Sequence, residues 1–176
     1  MILTLKRTPG IYVVGFMGAG KSTVGRHLAQ RLGWNFFDTD VEIERAEKAA
    51  IAKIFEERGE PEFRRIETGV ISQHVGWIER GRPAVLALGG GAFAQPGNRQ
   101  LLANNGIAVW LDCPFPIVQQ RVGRTAHRPL ARDAEAFAAL YQARRADYSL
   151  AHVHVAIESD DPEITVAAIL AHPVFR

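Results

Sequence analysis

The chain has very little cysteine and no long run of apolar residues. Its 176 residues include one cysteine, Cys113, so no disulfide can form within the chain. A lone thiol suits a reducing compartment, and because Cys113 follows an apolar run we expect it to be buried and structural. No apolar stretch approaches the roughly 20 residues that a membrane-spanning helix needs, and residues 1–10 lack a signal-peptide pattern. We therefore expect a cytoplasmic protein.

The chain also has little net charge. Its 21 basic residues nearly balance its 19 acidic ones, which leaves a formal charge of +2 at pH 7. That surplus is too small to favour binding to nucleic acid or to a membrane surface. The hydrophobic content of 47% and charged content of 23% are typical of a globular protein with a substantial core. We expect one domain over residues 1–176, acting on small molecules as a monomer.

A glycine-rich segment at residues 15–23 organises the rest of the chain. Gly15, Gly20, Lys21 and Ser22 match the phosphate-loop pattern G-x-x-x-x-G-K-[ST], between an apolar strand at 11–14 and a helical pattern at 24–32. Glycines let successive backbone N–H groups point into one concavity, and the start of a helix favours an anion there. A glycine-rich turn with a solvated lysine is the alternative reading. The strand and helix on either side favour nucleotide binding.

The loop predicts specific contacts with a nucleotide. Lys21 can reach the β- and γ-phosphates, and the Ser22 hydroxyl can ligate the accompanying Mg²⁺. The predicted nucleotide-binding residues of the loop are Gly18, Ala19, Gly20, Lys21, Ser22 and Thr23.

Strands and helices alternate along the rest of the chain, which predicts a parallel α/β sheet with helices as crossovers. The predicted strands are 11–14, 35–37, 84–88, 107–111 and 152–157, and the predicted helices are 24–32, 41–50, 51–58, 62–78, 98–104, 116–123, 134–147 and one starting at Pro162. Ligands of such sheets bind beyond the carboxyl ends of the strands. The phosphate loop, Asp38-Thr39-Asp40 and Gly89-Gly90-Gly91 should meet at that edge.

Seven segments together resemble the shikimate kinase family in order and spacing. They are the phosphate loop, Asp38-Thr39-Asp40, Ile54-Phe55, Gly59-Glu60, Phe63-Arg64-Arg65-Ile66-Glu67, Leu88-Gly89-Gly90-Gly91-Ala92 and Arg128-Pro129-Leu130. The resemblance implies a nucleoside monophosphate kinase-like fold, a three-layer α/β/α structure with a five-stranded parallel sheet. It also implies a helical substrate-binding region at about 40–72 and a mobile lid at about 124–133. The implied reaction transfers a phosphoryl group from ATP, with Mg²⁺, to the 3-hydroxyl of shikimate.

The resemblance assigns two aspartates to the reaction. Asp40 resembles the family aspartate that hydrogen-bonds the attacking hydroxyl, and an N-cap of a helix starting at Val41 is the competing reading. Asp38 resembles the residue that holds Mg²⁺, against the alternative of an ordinary polar strand end. The strand ending at Leu88 runs directly into glycine, so no carboxylate of the Walker B kind follows it.

The family pattern also assigns the cations around the substrates. Arg64 resembles the arginine that grips the substrate carboxylate, and Glu67 lies on the same helical face, where it can hold Arg64. Arg128 resembles the lid arginine that closes over the transferring phosphate. Further family matches are Gly90 and Arg144 for the substrate, and Arg121 and Pro162 for the adenine pocket. For Gly89 and Gly91 a plain strand-to-loop turn is the alternative.

The sequence departs from the family pattern at three places. Glu47-Lys48-Ala49-Ala50-Ile51 replaces the usual Thr-Gly-x-Ser-Ile, the lid is a few residues short, and Arg144-Arg145-Ala146-Asp147-Tyr148 lacks the proline of Arg-x-Pro-Leu-Tyr. Counting back from Tyr148 selects Arg144 for the substrate carboxylate, and we expect Arg145 to be an exposed charge.

Two other functions are compatible with the same motifs. A catalytically idle sensor module would show a fused DNA-binding segment and erosion of the phosphate loop, whereas the first strand here starts near Ile11 and each catalytic position matches. A kinase for another small polyol, such as gluconate, is the other alternative, against which Arg64 counts.

Overall fold

Five parallel strands form one sheet at the centre of the molecule. In this computed structural model, residues 10–124 and 133–176 are described. The strands are β1 (Gly10–Val14), β2 (Asn35–Asp38), β3 (Ala84–Ala87), β4 (Gly106–Asp112) and β5 (Val153–Ala156). Their order in the sheet is β2-β3-β1-β4-β5, and each neighbouring pair is parallel. The prediction of a five-stranded parallel sheet is confirmed.

Helices cover the two faces of this sheet and complete a three-layer α/β/α structure. Among the helices, α1 packs against α7 and α3 packs against α4. The helices are α1 (Lys21–Leu32), α2 (Thr39–Glu47), α3 (Ile51–Glu79), α4 (Pro96–Asn105), α5 (Phe115–Gly123), α6 (Ala134–Tyr148) and α7 (Pro162–Ala171). Short 3-10 helices at Ala92–Ala94 and Pro173–Phe175 complete the described elements. No helix in these ranges is long and apolar enough to cross a membrane.

Two predicted helix boundaries differ from the structure. The helix predicted from Val41 to Ala50 runs from Thr39 to Glu47, because Asp38 caps it from the end of β2. The two helices predicted on either side of Gly59 form one helix, α3, with a local break. Gly59 has φ 80° and ψ 168°, a conformation that interrupts helical geometry and that glycine adopts at little cost.

The core has two parts. The larger one surrounds the sheet, where strand residues such as Tyr12 and Leu86 are fully buried. Cys113 is also buried there, as predicted. A smaller cluster joins α2 to α3 through four buried side chains, Ile43, Ile54, Phe63 and Ile66. Fully burying such a side chain stabilises the fold by roughly 1.5–3 kcal/mol, so this cluster fixes the helical region beside the sheet edge.

Candidate active site

The phosphate loop curls between β1 and α1 at the carboxyl edge of the sheet. Gly18 and Gly20 have φ values of 80° and 90°, which a side chain would make costly. The buried Ala19 donates its backbone N–H to Phe16 O at 3.1 Å, and the Lys21 ammonium donates to the same carbonyl at 3.0 Å. Lys21 is the first residue of α1, so its side chain starts at the positive end of that helix.

Ser22 and Asp38 face each other across this edge. The Ser22 hydroxyl donates a hydrogen bond to Asp38 Oδ2, while Asp38 Oδ1 accepts from the backbone N–H groups of Asp40 and Val41 at 3.0 and 3.4 Å. A hydroxyl and a carboxylate are the hard oxygen donors that Mg²⁺ prefers, and this ion usually takes its remaining ligands from phosphates and water. The two residues therefore fit the predicted metal role.

Asp40 lies over the end of β3. A Cβ placed on Gly89 would come within 2.7 Å of Asp40 Oδ1 and 3.0 Å of Glu67 Oε2, so both carboxylates pack against the bare glycine backbone. Between them, Thr39 Oγ1 donates to Ala87 O and accepts from Gly89 N–H at 3.3 and 3.1 Å. The reading of Asp40 as an N-cap is wrong, because Asp38 performs that function for α2.

Arg64 lies against the neighbouring glycine. Its Nη1 donates to Glu67 Oε1 at 2.8 Å and its Nη2 donates to Glu60 Oε1 at 3.3 Å. A Cβ at Gly91 would lie 2.7 Å from Arg64 Nη1, so Gly91 leaves the space that the guanidinium occupies. Arg64 Nε is buried and has no hydrogen-bond partner among the described protein atoms. Such an orphaned donor needs an acceptor from outside the described protein atoms, which is either water or a ligand.

Two of the three glycines after β3, Gly89 and Gly91, allow side chains to approach the backbone closely. The strand-to-loop turn predicted as an alternative is also present, because Ala92 N–H donates to Gly89 O at 3.0 Å, and none of the three glycines has the positive φ that would by itself require glycine. Gly90 differs from both neighbours, because a Cβ there would find the nearest atoms, Met17 N and Tyr148 Oη, at 3.8 Å. The face of Gly90 is thus open beside the phosphate loop.

Charged residues from several elements act on the carboxyl group of Glu67. Its side chain is only 1% exposed, and burial raises its pKa against the opposing hydrogen bond and charge of Arg64. The charges of Asp40 and Arg144 also act on this carboxyl, the first raising and the second lowering its pKa. The structure thus brings Asp40, Arg64 and Arg144 to one place, although they come from α2, α3 and α6.

Comparisons with known proteins show the family of this chain. A protein-family model described as shikimate kinase matches residues 17–172. The chain belongs to the shikimate kinase family. The shikimate kinase of Ruegeria pomeroyi is 45% identical over 148 residues, which are 82% of this chain and 74% of that relative. A solved structure of shikimate kinase from Acinetobacter baumannii in complex with shikimate has a TM-score of 0.85 and 40% identity, over 93% of this chain and 91% of that one.

A gluconokinase from Sinorhizobium meliloti is more distant from this shikimate kinase family member. Its TM-score is 0.58 at 19% identity, over 94% of this chain and 91% of that one. At such low identity the likeness extends to the fold alone, so the gluconate alternative gains no support from it.

Two nucleotide-side predictions of this shikimate kinase family member lie next to the phosphate loop or to its helix. Arg121 donates to Gly18 O at 2.9 Å and to Asp160 Oδ1 at 2.6 Å. Pro162 is the first residue of α7, whose Glu163 pairs with His27 and Arg31 of α1. Thr23 lies exposed in the first turn of α1. Arg128 and the lid segment 125–132 lie outside the described residues.

Arg145 does not have the surroundings expected of it. It pairs with Asp112 through both Nη atoms, and its guanidinium lies 5.0 Å from the centre of the Trp110 ring. The expectation of an exposed charge is therefore wrong. The interaction joins residues 33 positions apart, which no local pattern could indicate.

Sequence reasoning missed the contributions of Thr39 and Tyr148. Thr39 ties the start of α2 to the end of β3, and its place inside the Asp-Thr-Asp motif could have suggested this. Tyr148 donates its hydroxyl to Gly90 O across 58 residues. Its only sequence signal was its place at the end of the Arg144–Tyr148 family segment.

Proposed function

We propose that this protein transfers the γ-phosphoryl group of ATP to the 3-hydroxyl of shikimate, giving shikimate 3-phosphate and ADP. The observation that carries the proposal is the part-buried Arg64, whose guanidinium Glu67 holds against Gly91, close to Asp40. Shikimate has one carboxylate and three hydroxyls, so its site needs a cation at one end and an acceptor at the other. Arg64 and Asp40 supply these two groups.

The donor side is the phosphate loop. Backbone N–H groups of 18–23 cradle the phosphates of ATP, and Lys21 leaves Phe16 O to neutralise charge on the β- and γ-phosphates. Ser22 and Asp38 would hold Mg²⁺, Asp38 through water. When bound, the ion neutralises charge that develops on the phosphate oxygens.

The acceptor side lies over the glycines that follow β3. Arg64 and Arg144 bind the substrate carboxylate, since a planar guanidinium makes two parallel hydrogen bonds to such a group. Gly90 offers an open backbone face next to Met17 of the phosphate loop, which places the substrate near the nucleotide. Asp40 accepts a hydrogen bond from the 3-hydroxyl, orients it and takes its proton.

The remaining parts of the proposal concern the domain organisation, the lid, the adenine pocket, the cellular location and the oligomeric state. The chain acts as one domain over 1–176, with a substrate-binding region at about 40–72 and a lid at about 124–133 that brings Arg128 over the transferring phosphate. Arg121 and Pro162 border the adenine. The protein works as a cytoplasmic monomer. The free, buried Cys113 suits a reducing compartment, and the large exposed apolar side chains of the described residues are scattered over α2, α7 and the segment after α6.

The first prediction tests this function directly. ADP release should be measured in a coupled assay with shikimate, quinate and gluconate as alternative acceptors, with and without Mg²⁺. We expect turnover with shikimate, dependence on the metal, and little reaction with the other two. Lys21→Ala should lose roughly 100-fold or more in kcat, as expected when one charge-stabilising donor is removed, while thermal unfolding stays close to wild type.

Each other outcome has a definite meaning. Faster turnover with gluconate than with shikimate would show that the substrate is a polyol other than shikimate. Binding of shikimate in calorimetry without any ADP release would favour the idle sensor module. Wild-type turnover in Lys21→Ala would show that the phosphate loop is not the donor site.

A further inference from the structure

The segment Gly89–Gly91 needs support from outside itself. Three consecutive glycines have wide freedom in φ and ψ, and the local bond that restrains them is the turn bond from Ala92 N–H to Gly89 O at 3.0 Å. Its two ends are pressed by neighbours, with Asp40 and Glu67 against Gly89 and Arg64 against Gly91. The middle residue, Gly90, has open space above it, and only its backbone is available for holding it in place.

Tyr148 holds that backbone. It is the last residue of α6 and is 1% exposed, and its hydroxyl donates a hydrogen bond to Gly90 O. Burial raises the pKa of this phenol well above its ordinary value, so the hydroxyl keeps its proton and remains a donor. The bond orients the peptide on the carboxyl side of Gly90 and thereby restricts the residue's ψ.

The next carbonyls are held by a different element. Asn98 of α4, which is 1% exposed, donates to Ala92 O at 3.1 Å, and Arg99 donates to Phe93 O and Ala94 O at 2.8 and 2.9 Å. These contacts fix the 3-10 helix that follows the glycines. The contact from Tyr148 therefore acts on the residue that lies before this fixed part.

Tyr148 also shares a helix face with Arg144. Residues four apart on a helix lie on the same side, and α6 continues through Tyr148 although the family proline is missing. The charge of Arg144 acts on both Tyr148 and Glu67 and lowers the pKa of each. The last turn of α6 thus faces both the candidate carboxylate site and the glycine segment.

We propose that Tyr148 is a positioning residue for shikimate, acting through its hydrogen bond to Gly90 O, which keeps the open face of Gly90 turned toward the substrate. This inference rests on the proposed function, in which Gly90 contacts shikimate. Loss of the hydroxyl leaves the helix and the ring in place but allows Gly90 to take other conformations. Shikimate then binds a segment that must first be ordered, and its affinity falls.

The second prediction compares two variants at different places in the fold, each of which loses a hydrogen bond from a buried tyrosine hydroxyl to a backbone carbonyl. Tyr148→Phe should raise KM for shikimate about three- to tenfold, the effect of one buried neutral hydrogen bond, with a smaller change in kcat and none in KM for ATP. Tyr12→Phe is the matched control, because fully buried Tyr12 also donates to a backbone carbonyl, Asn105 O, from β1. Both variants should unfold at similarly lowered temperatures, but Tyr12→Phe should leave KM for shikimate unchanged.

Gly90→Ala separates this inference from the proposed function. No atom of the described protein lies within 3.8 Å of the added Cβ, so the variant should fold and raise KM for shikimate by tenfold or more through contact with the substrate. A raised KM in Gly90→Ala with an unchanged one in Tyr148→Phe would overturn the role of Tyr148 and leave the function standing. Equal effects of Tyr148→Phe and Tyr12→Phe on KM would also overturn it. An unchanged KM in Gly90→Ala would overturn the proposed contact at Gly90 itself.

Discussion

At the scale of single residues, Arg144 and Arg145 show how adjacent arginines come to serve different partners. Neighbours on a helix point about 100° apart. The charge of Arg144 acts on Glu67 and Tyr148, whereas Arg145 pairs with Asp112 and lies over the Trp110 ring. Although the family proline is missing, α6 remains regular through Tyr148, so we still predict that Arg144 and not Arg145 binds the substrate carboxylate.

The third prediction follows from these two environments. Arg144→Ala should raise KM for shikimate about tenfold or more, since losing a hydrogen bond to a charged group costs roughly 1.5–3 kcal/mol. Arg145→Ala should leave that KM nearly unchanged but destabilise the fold through loss of its ion pair with Asp112, by about 1 kcal/mol, a small value because solvent screens this part-exposed pair. Kinetics at fixed ATP and thermal unfolding of both variants check this. The reverse pattern, with KM altered by Arg145→Ala alone, would contradict the assignment.

At the scale of elements, the junction between α2 and α3 carries the first departure from the family pattern. Lys48 stands where the pattern has glycine, and it has φ 53°, the one positive φ of a non-glycine residue in the described ranges. Ala50 stands where the pattern has serine and caps α3 without a side-chain hydrogen bond. The Glu44 carboxylate accepts from Ile51 N–H at 3.0 Å and so partly replaces the missing cap.

The fourth prediction restores the family residues at this junction. Lys48→Gly should stabilise the protein by about 0.5–1 kcal/mol, because the left-handed conformation costs a non-glycine residue roughly 1–2 kcal/mol and glycine loses part of this gain through its larger entropy when unfolded. Ala50→Ser should add about 1 kcal/mol, since a serine hydroxyl at this N-cap can accept from the backbone N–H of Ala52 or Lys53. Urea unfolding measures both.

Lys53→Gly is the matched control for the glycine substitution. Lys53 is exposed within the regular part of α3, where glycine should destabilise by roughly 1 kcal/mol. A loss of stability in Lys48→Gly as large as that in Lys53→Gly would show that Lys48 is not strained.

At the scale of the whole molecule, Asp112 links three elements at the carboxyl end of β4. Its carboxylate pairs with Arg145 of α6 and with His154 of β5. Burial raises the pKa of Asp112, but the hydrogen bonds and charges of Arg145 and His154 outweigh burial and hold the pKa below its ordinary value of 3.8. A carboxyl whose pKa is lowered by folding stabilises the protein above its unfolded pKa, and this stabilisation is lost as the pH falls through its folded pKa.

The fifth prediction uses that dependence. The free energy of unfolding of the wild type should fall as the pH drops below 3.8, and Asp112→Asn should weaken this fall while lowering stability at pH 7. Glu62→Gln is the control, because the pKa of Glu62 is also lowered, by its hydrogen bond with Arg65, at a part-exposed position. Urea titrations between pH 2.5 and 7, on a grid of about half a pH unit, measure all three. If the free energy of unfolding of Asp112→Asn fell with pH as steeply as that of the wild type, Asp112 would not be a cause of the acid destabilisation.

Glu67 contributes with the opposite sign. Burial raises its pKa above the ordinary 4.5, so its favourable contribution is present below that pH and is lost as the pH rises through the folded pKa. The contribution of Asp112 to the fall in unfolding free energy at acid pH is therefore best measured as the difference between the wild type and Asp112→Asn. Glu67 is present in both proteins, so its contribution cancels in that difference.

What the sequence determined by itself lies within short stretches of chain. The alternation of apolar runs and helical patterns predicted the parallel sheet, and the glycines with Lys21 and Ser22 predicted the phosphate loop. These signals are local, because strand and helix periods and the turn at Gly20 depend on residues within a few positions of each other. The ordered family segments were sufficient to name the family, which the comparisons confirm.

The tertiary structure alone decided which side chains meet. It showed that Asp38 both caps α2 and receives the Ser22 hydroxyl, that Gly91 makes room for Arg64, and that Tyr148 holds Gly90. Apart from the cap by Asp38, which is local, these contacts join residues 16 to 58 positions apart along the chain. Their geometry depends on how the helices pack over the sheet. The separation of two residues along the sequence does not give the distance between them in space.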